Sequence, residues 1–130
     1  MSKPCWITKE ECLAFHNELI ARFGGHGGIR DVGLLDSALA RPQQLFHYEK
    51  PTLVELAASY AAGIMGNHPF HDGNKRTGLM AAAIFLETNG FVFQASEEEA
   101  VVYTLALAAG EIRAAEYAAW LDRSIEPVNR

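Results

Sequence analysis

The sequence contains few cysteines, no excess of positive charge and no long apolar run, and each shortage excludes a class of protein. Its two cysteines, Cys5 and Cys12, cannot form a metal site by themselves and do not suggest the disulfide framework of a small secreted domain. The formal net charge of −5 argues against a broad basic surface. Direct nucleic-acid binding is therefore not expected, because phosphate neutralisation requires clustered lysine and arginine.

Membrane and secretory signals are also missing from the sequence. No stretch approaches the ~20 consecutive apolar residues that a membrane span requires. The segment Met1–Trp6 contains one lysine and no apolar run, so no signal peptide is visible. The 130 residues, 49% of them hydrophobic, are enough for one core and too few for two. We expect a single domain over residues 1–130, in the cytoplasm and without membrane contact.

Helix-capping signals divide the chain. A Ser or Thr followed three residues later by Glu has the spacing of a capping box, which predicts a helix start. Three segments have this spacing, namely Thr8–Glu11, Thr52–Glu55 and Ser96–Glu99.

Other caps and breakers predict three more helices. Asp31 is predicted to start a short helix that Pro42 ends, because proline lacks an amide hydrogen. Asn74 is predicted to cap a helix, and the last helix should run from about Arg113 to Ile125.

Two segments do not fit a helix. Gln43–Lys50 is predicted to be a loop or a small hairpin, although its Phe46 and Tyr48 could equally be core residues. Phe91–Phe93 is too short to anchor a sheet. We therefore predict an all-α fold, a compact bundle of five to seven helices.

Residue types that carry out chemistry are concentrated between two predicted helices, in the segment His68–Thr77. His68 precedes a proline, which favours an extended backbone, and an imidazole is a side chain that suits a general base. Asp72 is a lone carboxylate beside a glycine and suits one ligand of a Mg²⁺ ion shared with nucleotide phosphates.

The end of this segment is predicted to bind anions. Gly73 allows close approach of a ligand to the backbone. The amides of Gly73, Asn74 and Lys75 lie at a predicted helix N-terminus, where unpaired N–H groups attract anions. Lys75 and Arg76 add full positive charges that are unfavourable for the helix itself, which indicates a bound phosphate. Solvated helix residues are the simpler alternative for these two.

The run HPFHDGNKRT, His68–Thr77, resembles the signature motif of the Fic/Doc (Fido) superfamily. Within it the chain resembles the death-on-curing branch, the Doc toxins of toxin–antitoxin modules. AMP-transferring Fic proteins usually have a glycine at the position of Lys75 and a second arginine at that of Leu79. The runs GGIRDVGLLDSALARP (Gly27–Pro42) and FLETNGF (Phe85–Phe91) are similar to the same branch, so the resemblance covers nearly the whole chain.

The resemblance implies a Fido-type helical bundle and an ATP- and Mg²⁺-dependent protein kinase. Such a toxin transfers the γ-phosphate of ATP to a Ser/Thr hydroxyl, with elongation factor Tu as the expected target, and so blocks translation. His68 would deprotonate the hydroxyl, and Asp72 would hold Mg²⁺. The loop amides and the side chains of Asn74, Lys75 and Arg76 would bind the phosphates.

The resemblance also bears on regulation and substrate binding. The sequence contains no Ser/Thr-x-x-x-Glu-Gly/Asn element of the kind that blocks self-inhibited Fic proteins. Inhibition is therefore expected from a separate, Phd-like antitoxin. Gln43–Lys50 falls where the superfamily has a flap that aligns the target by strand addition.

Two other functions stay open. The same pocket could transfer AMP if ATP binds in the Fic orientation, although Leu79 provides no second arginine. The chain could also be a catalytically silent module that binds a nucleotide or a protein.

Of the other histidines, His16, His26 and His47 are predicted to be structural or exposed, and His71 a variable loop position.

Overall fold

A computed structural model describes residues 3–128 of the chain. They form six helices and two short strands: α1 (Lys9–Phe23), α2 (Val32–Tyr48), α3 (Leu53–Asn67), α4 (Asn74–Thr88), β1 (Phe91–Phe93), α5 (Glu97–Ala108), α6 (Ala114–Arg123) and β2 (Ile125–Pro127). The predicted all-α bundle of five to seven helices is confirmed. In this part of the chain, no helix is both long and apolar enough to cross a membrane.

Helix α3 forms the centre of the bundle, and it packs against α2, α4 and α6. Most of its side chains are small or apolar, and Leu56, Tyr60 and Ile64 are fully buried. Tyr60 also accepts a hydrogen bond from the backbone N–H of Ile7 at 3.0 Å, which holds the N-terminal segment on the core. Since α3 ends where the motif loop begins, the core fixes one side of that loop.

Two of the three predicted capping boxes form completely. Thr8 and Thr52 each accept the N3 amide, and the N3 glutamate returns to the cap amide. The third is wrong in part, because Ser96 accepts the amide of Glu99 at 3.1 Å but the Glu99 carboxylate is engaged elsewhere. That carboxylate accepts a hydrogen bond at 3.3 Å from the indole N–H of Trp120.

Pro42 does not end α2, and the predicted loop or hairpin at Gln43–Lys50 is wrong. The helix continues to Tyr48 with Pro42 buried inside it. The lost hydrogen bond is offset by tertiary contacts, because Phe46 packs on the core and meets the Trp6 ring edge-on at 5.6 Å. Of the two aromatic residues considered for the core, Phe46 is half-buried and packs against it, whereas Tyr48 is 87% exposed.

Phe91–Phe93 pairs with Ile125–Pro127 in an antiparallel two-stranded sheet. The prediction that Phe91–Phe93 could not anchor a sheet is therefore wrong, and α6 ends at Arg123, short of the predicted Ile125. The partner strand lies more than thirty residues away in the sequence, so no local pattern could reveal the pairing. Phe93 is held in place by an edge-on contact with Trp120 at 5.8 Å between ring centroids.

We expect the close packing of α2 on α3 to depend on Gly63. A Cβ atom at Gly63 would lie 3.3 Å from the Cα and carbonyl oxygen of Ala38. Gly63→Val should therefore lower the free energy of unfolding by about 1–3 kcal/mol through overpacking. Urea unfolding followed by circular dichroism measures the change.

Gly66→Val is the matched control, because a Cβ atom at Gly66 of the same helix would meet no atom within 4 Å. It should change the free energy of unfolding by less than about 0.5 kcal/mol. Equal losses in the two variants would show that the contact with Ala38 does not limit the packing.

Stability should decline at alkaline pH. Burial raises the pKa of Tyr60 and Tyr117 to about 12, and that of the Cys12 thiol to about 11. The unfolded chain releases these protons first, from about pH 9 upward, so it is favoured as the pH rises toward 12. Urea unfolding at pH 7, 9, 10 and 11 should show a progressive loss.

Tyr117→Phe should make this decline shallower above pH 10, because it removes one of the buried ionisable groups. Tyr48→Phe is the control, since Tyr48 is exposed and should leave the profile unchanged. A flat profile in the wild-type protein would contradict the buried, protonated state of these groups.

Candidate active site

The motif loop joins the end of α3 to the start of α4, and His68 is its first residue. His68 has left-handed backbone angles, φ 50° and ψ 56°, and its amide donates to the Ile64 carbonyl at 3.2 Å, which ends α3. The predicted extended backbone is therefore wrong at this position. Two sets of contacts override the preference imposed by Pro69. One is the helix cap on the Ile64 carbonyl, and the other is the pair of hydrogen bonds that the Pro69 carbonyl accepts from the amides of residues 30 and 31. The imidazole is exposed.

The Asn74 side chain closes the loop. Its Oδ1 accepts from the Phe70 amide at 3.0 Å, and its Nδ2 donates to the Phe70 carbonyl at 2.9 Å. Nδ2 also lies 3.4 Å from Nδ1 of His68. Since Asn74 is buried, these bonds form away from water, where an unmade bond is costly. Asn74 thus fixes the shape of the loop.

The cap of α4 is Gly73, and the prediction of Asn74 as the cap is wrong. Asn74 is the first helical residue, and its side chain is engaged by Phe70 instead of the helix amides. Gly73 has φ 82°, a left-handed conformation that favours glycine. A Cβ atom there would also lie 3.4–3.5 Å from Ile20 and His16. The glycine therefore serves both the turn and the close approach to α1.

Helix α1 contacts the loop through a buried histidine. His16 is 1% exposed, and its Nε2 lies 2.7 Å from the carbonyl oxygen of Asp72. Its ring stacks on Phe70 at 3.8 Å between centroids, with 7° between the planes. The prediction that His16 is structural is confirmed, and Phe70 is a buried anchor of the loop.

The carboxylate of Asp72 is held by the glycine-rich segment that follows α1. Its Oδ2 accepts a hydrogen bond from the backbone amide of His26 at 2.6 Å. The side chain is exposed, and Oδ1 accepts no hydrogen bond from residues 3–128. The His26 ring lies 4.5 Å from that of His71, so the two imidazoles are neighbours.

A cation at Asp72 would need further ligands besides this carboxylate. Across residues 3–128, no three His, Cys, Asp or Glu side chains are grouped so as to bind a metal. A single carboxylate fits Mg²⁺, which keeps several waters and takes further oxygen ligands from phosphates. Asp72 is the residue that would hold such an ion.

Lys75 and Arg76 project from the first turn of α4, and both are exposed. Among the described residues neither forms a salt bridge, and the Arg76 guanidinium lies 4.4 Å from the centroid of the Phe23 ring. Thr77 is the first residue of α4 whose amide donates a hydrogen bond to a preceding carbonyl, that of Gly73 at 2.9 Å. The preceding amides and the two cations concentrate positive charge at this helix end.

All of the predicted site residues line one cleft of about 500 Å³. They are His68, Asp72, Gly73, Asn74, Lys75 and Arg76. His71 also lines this cleft. The structure thus brings together a histidine, a carboxylate and an anion-attracting helix terminus, as phosphate chemistry requires.

The contribution of α5 to the cleft was missed by sequence reasoning. It consists of Ala100, Val101, Thr104 and Leu105, which line the cleft together with Leu79 of α4. Val101 and Leu105 are 55% and 50% exposed. Only the packing of α5 beside α4 brings them to the motif, and no spacing signal in the sequence indicates this.

Arg30 was missed as well. Its Nε donates to the His68 carbonyl at 2.7 Å, and its Nη2 donates to the Asn67 carbonyl at 2.9 Å. Its backbone amide donates to the Pro69 carbonyl at 2.7 Å. The run Gly27–Pro42, which contains Arg30, resembles the death-on-curing branch. This resemblance was the only sequence signal for a role of Arg30.

Comparison with known proteins adds independent findings. The sequence model that describes the Fic/DOC family matches residues 6–86. The chain is 38% identical over 118 residues to "Protein kinase doc" of Escherichia phage P1, covering 90% of this chain and 93% of that protein. It is 46% identical over 70 residues to "Toxin Doc" of Mycolicibacterium smegmatis, covering 52% of this chain and 54% of that protein.

The geometry predicts that Asn74→Asp destabilises the fold. The substitution places a carboxylate oxygen opposite the Phe70 carbonyl, where Nδ2 now donates at 2.9 Å. The free energy of unfolding should fall by about 1–3 kcal/mol, because a buried bond is replaced by a repulsive contact. Urea unfolding measures the loss.

Asn17→Asp adds the same charge on the exposed surface of α1. It should change stability by less than about 0.5 kcal/mol. If the two variants lost the same stability, the bonds between Asn74 and Phe70 would not be what holds the loop.

Proposed function

Because this chain belongs to the Fic/DOC family, we propose that it is a Doc-like toxin that transfers the γ-phosphate of ATP to a protein hydroxyl. The acceptor is a Ser or Thr side chain of a target protein, for which elongation factor Tu is our first candidate. Modification of a translation factor would block protein synthesis. A cognate, Phd-like antitoxin would inhibit the toxin in trans.

The observation that carries the proposal is the sharing of one cleft by His68, Asp72 and the start of α4. Phosphoryl transfer depends chiefly on positioning and on stabilisation of charge. A preformed terminus with amides and two cations provides that stabilisation without rearrangement. Names given to the similar proteins, a protein kinase and a toxin, support the same activity.

The proposed reaction assigns one role to each group. The His68 imidazole accepts the proton of the target hydroxyl as its oxygen attacks the γ-phosphorus. A bond forms between that oxygen and phosphorus, the bond to the β–γ bridging oxygen breaks, and ADP leaves with its electron pair. Lys75, Arg76 and the amides at Gly73 to Lys75 bind the phosphate oxygens, and Asn74 keeps the loop in shape.

Mg²⁺, when bound, would neutralise phosphate charge and orient the leaving group. Asp72 is the proposed protein ligand, because its carboxylate is exposed and its backbone is held by His16. The fit depends on the chemistry of this oxygen donor, since Mg²⁺ prefers oxygen ligands.

AMP transfer is the alternative reaction in the same cleft. It would require ATP to bind with its α-phosphate at the start of α4. The side chain three residues after Arg76 is Leu79, an apolar residue on the cleft wall. It cannot hold the outer phosphates as a second arginine would, and this favours transfer of the γ-phosphate.

Labelled ATP tests the proposal. The purified protein, Mg²⁺ and a cell extract are incubated with ATP labelled at either the γ- or the α-phosphate, and protein-bound label is followed on a gel. Label should pass to protein from the γ position only. His68→Ala should lower the rate about 10²–10⁴-fold, the usual effect of losing a general base.

Asp122→Ala serves as the control, since Asp122 is exposed on α6 and does not line the cleft, and it should retain the wild-type rate. Label from the α position only would establish AMP transfer and refute the proposed reaction. No transfer from either position would favour the silent binding module. Growth arrest on expression, relieved by His68→Ala, is the expected result in cells.

A further inference from the structure

The backbone of His68 is disfavoured for two reasons. It has left-handed angles, φ 50° and ψ 56°, and it is the only residue other than glycine with positive φ among residues 3–128. It also precedes Pro69, which favours an extended conformation at the preceding residue. Such a conformation persists only when the surroundings impose it, and it occurs preferentially at functional sites.

The Arg30 side chain is well placed to impose it. Its guanidinium bridges the last two carbonyls of the helix end, donating from Nε to His68 at 2.7 Å and from Nη2 to Asn67 at 2.9 Å. These carbonyls lie at the C-terminus of α3, where intrahelical donors are lacking and positive charge is favoured. Within residues 3–128, no other donor bonds to the His68 carbonyl.

The remaining contacts of Arg30 strengthen this arrangement. Its backbone amide donates to the Pro69 carbonyl at 2.7 Å, and the amide of Asp31 donates to the same oxygen at 3.1 Å. In the described part of the chain Arg30 has no carboxylate partner. Its positive charge therefore interacts with the carbonyls at the end of α3.

We propose that Arg30 is a positioning residue that holds His68 in the left-handed conformation and so directs the imidazole into the cleft. Arg30 does not line the cleft itself, so it acts through His68 and not on the bound nucleotide. Asn74 has a different task, because it binds Phe70 and so fixes the middle of the loop. The catalytic consequence of this proposal rests on the proposed function of His68.

The test uses the full chain with Arg30→Ala, Arg30→Lys and the control Arg41→Ala. Arg41 is an exposed arginine of α2 with no salt bridge among residues 3–128. Three properties are measured: the thermal midpoint, the Cα and Cβ chemical shifts of His68, and the kinetics of phosphate transfer from γ-labelled ATP.

In Arg30→Ala, the His68 shifts should move away from their left-handed values. The transfer rate should fall about 10–100-fold, the effect of misplacing a catalytic group by roughly 1 Å. The KM for ATP should stay within about threefold, because no ATP contact is removed. Arg30→Lys should give an intermediate rate, since an ammonium group cannot bridge both carbonyls in the same geometry.

Unchanged His68 shifts in a folded Arg30→Ala protein would overturn the proposal, whatever the rate. A raised KM with an unchanged rate would do so too, because Arg30 would then be acting on ATP. If Arg30→Ala does not fold, the shifts and rate of Arg30→Lys decide, and wild-type values for both refute the proposal. If the wild-type protein transfers no phosphate, the proposed function fails, and the chemical shifts alone still decide the role of Arg30.

Discussion

The geometry of the site depends on the pair of hydrogen bonds between the Asn74 side chain and the backbone of Phe70. They join the first residue of α4 to the middle of the preceding loop. A change in the shape of the loop would therefore break these bonds and leave buried polar groups of Asn74 and Phe70 without partners. Phe70 is 1% exposed and anchors the loop in the core, so one buried polar contact connects the packing of the bundle to the position of the reactive groups.

Supports from distant parts of the chain are arranged around this contact. Arg30 bonds to the carbonyl at the start of the loop, and His16 bonds to the carbonyl of Asp72 near its end. His26 then holds the carboxylate of Asp72 through its backbone amide. Each of the residues proposed for catalysis or metal binding is thus fixed by a neighbour that has no proposed part in the chemistry itself. Such preorganisation is what transition-state stabilisation requires.

The charge distribution fits a small anion site on an acidic protein. The net charge is −5, yet Lys75 and Arg76 lie without salt bridges, within the described residues, at the positive end of α4. The positive charge at this helix end is therefore local to the cleft, on a protein whose net charge is negative. The apolar wall on α5 completes a cleft with one charged side and one apolar side, as is common for small-molecule sites.

By itself the sequence determined the local features: the capping boxes at Thr8 and Thr52, the helical class of the fold, and the six predicted site residues that share one cleft. These follow from contacts between residues a few positions apart, which a pattern can reveal. The tertiary structure decided the rest. Pro42 stays inside α2, Phe91–Phe93 finds a strand partner, His68 adopts left-handed angles, and Arg30 and α5 reach the site. Each of these depends on contacts between distant residues, whose energies exceed the local preferences and leave no periodic trace in the sequence.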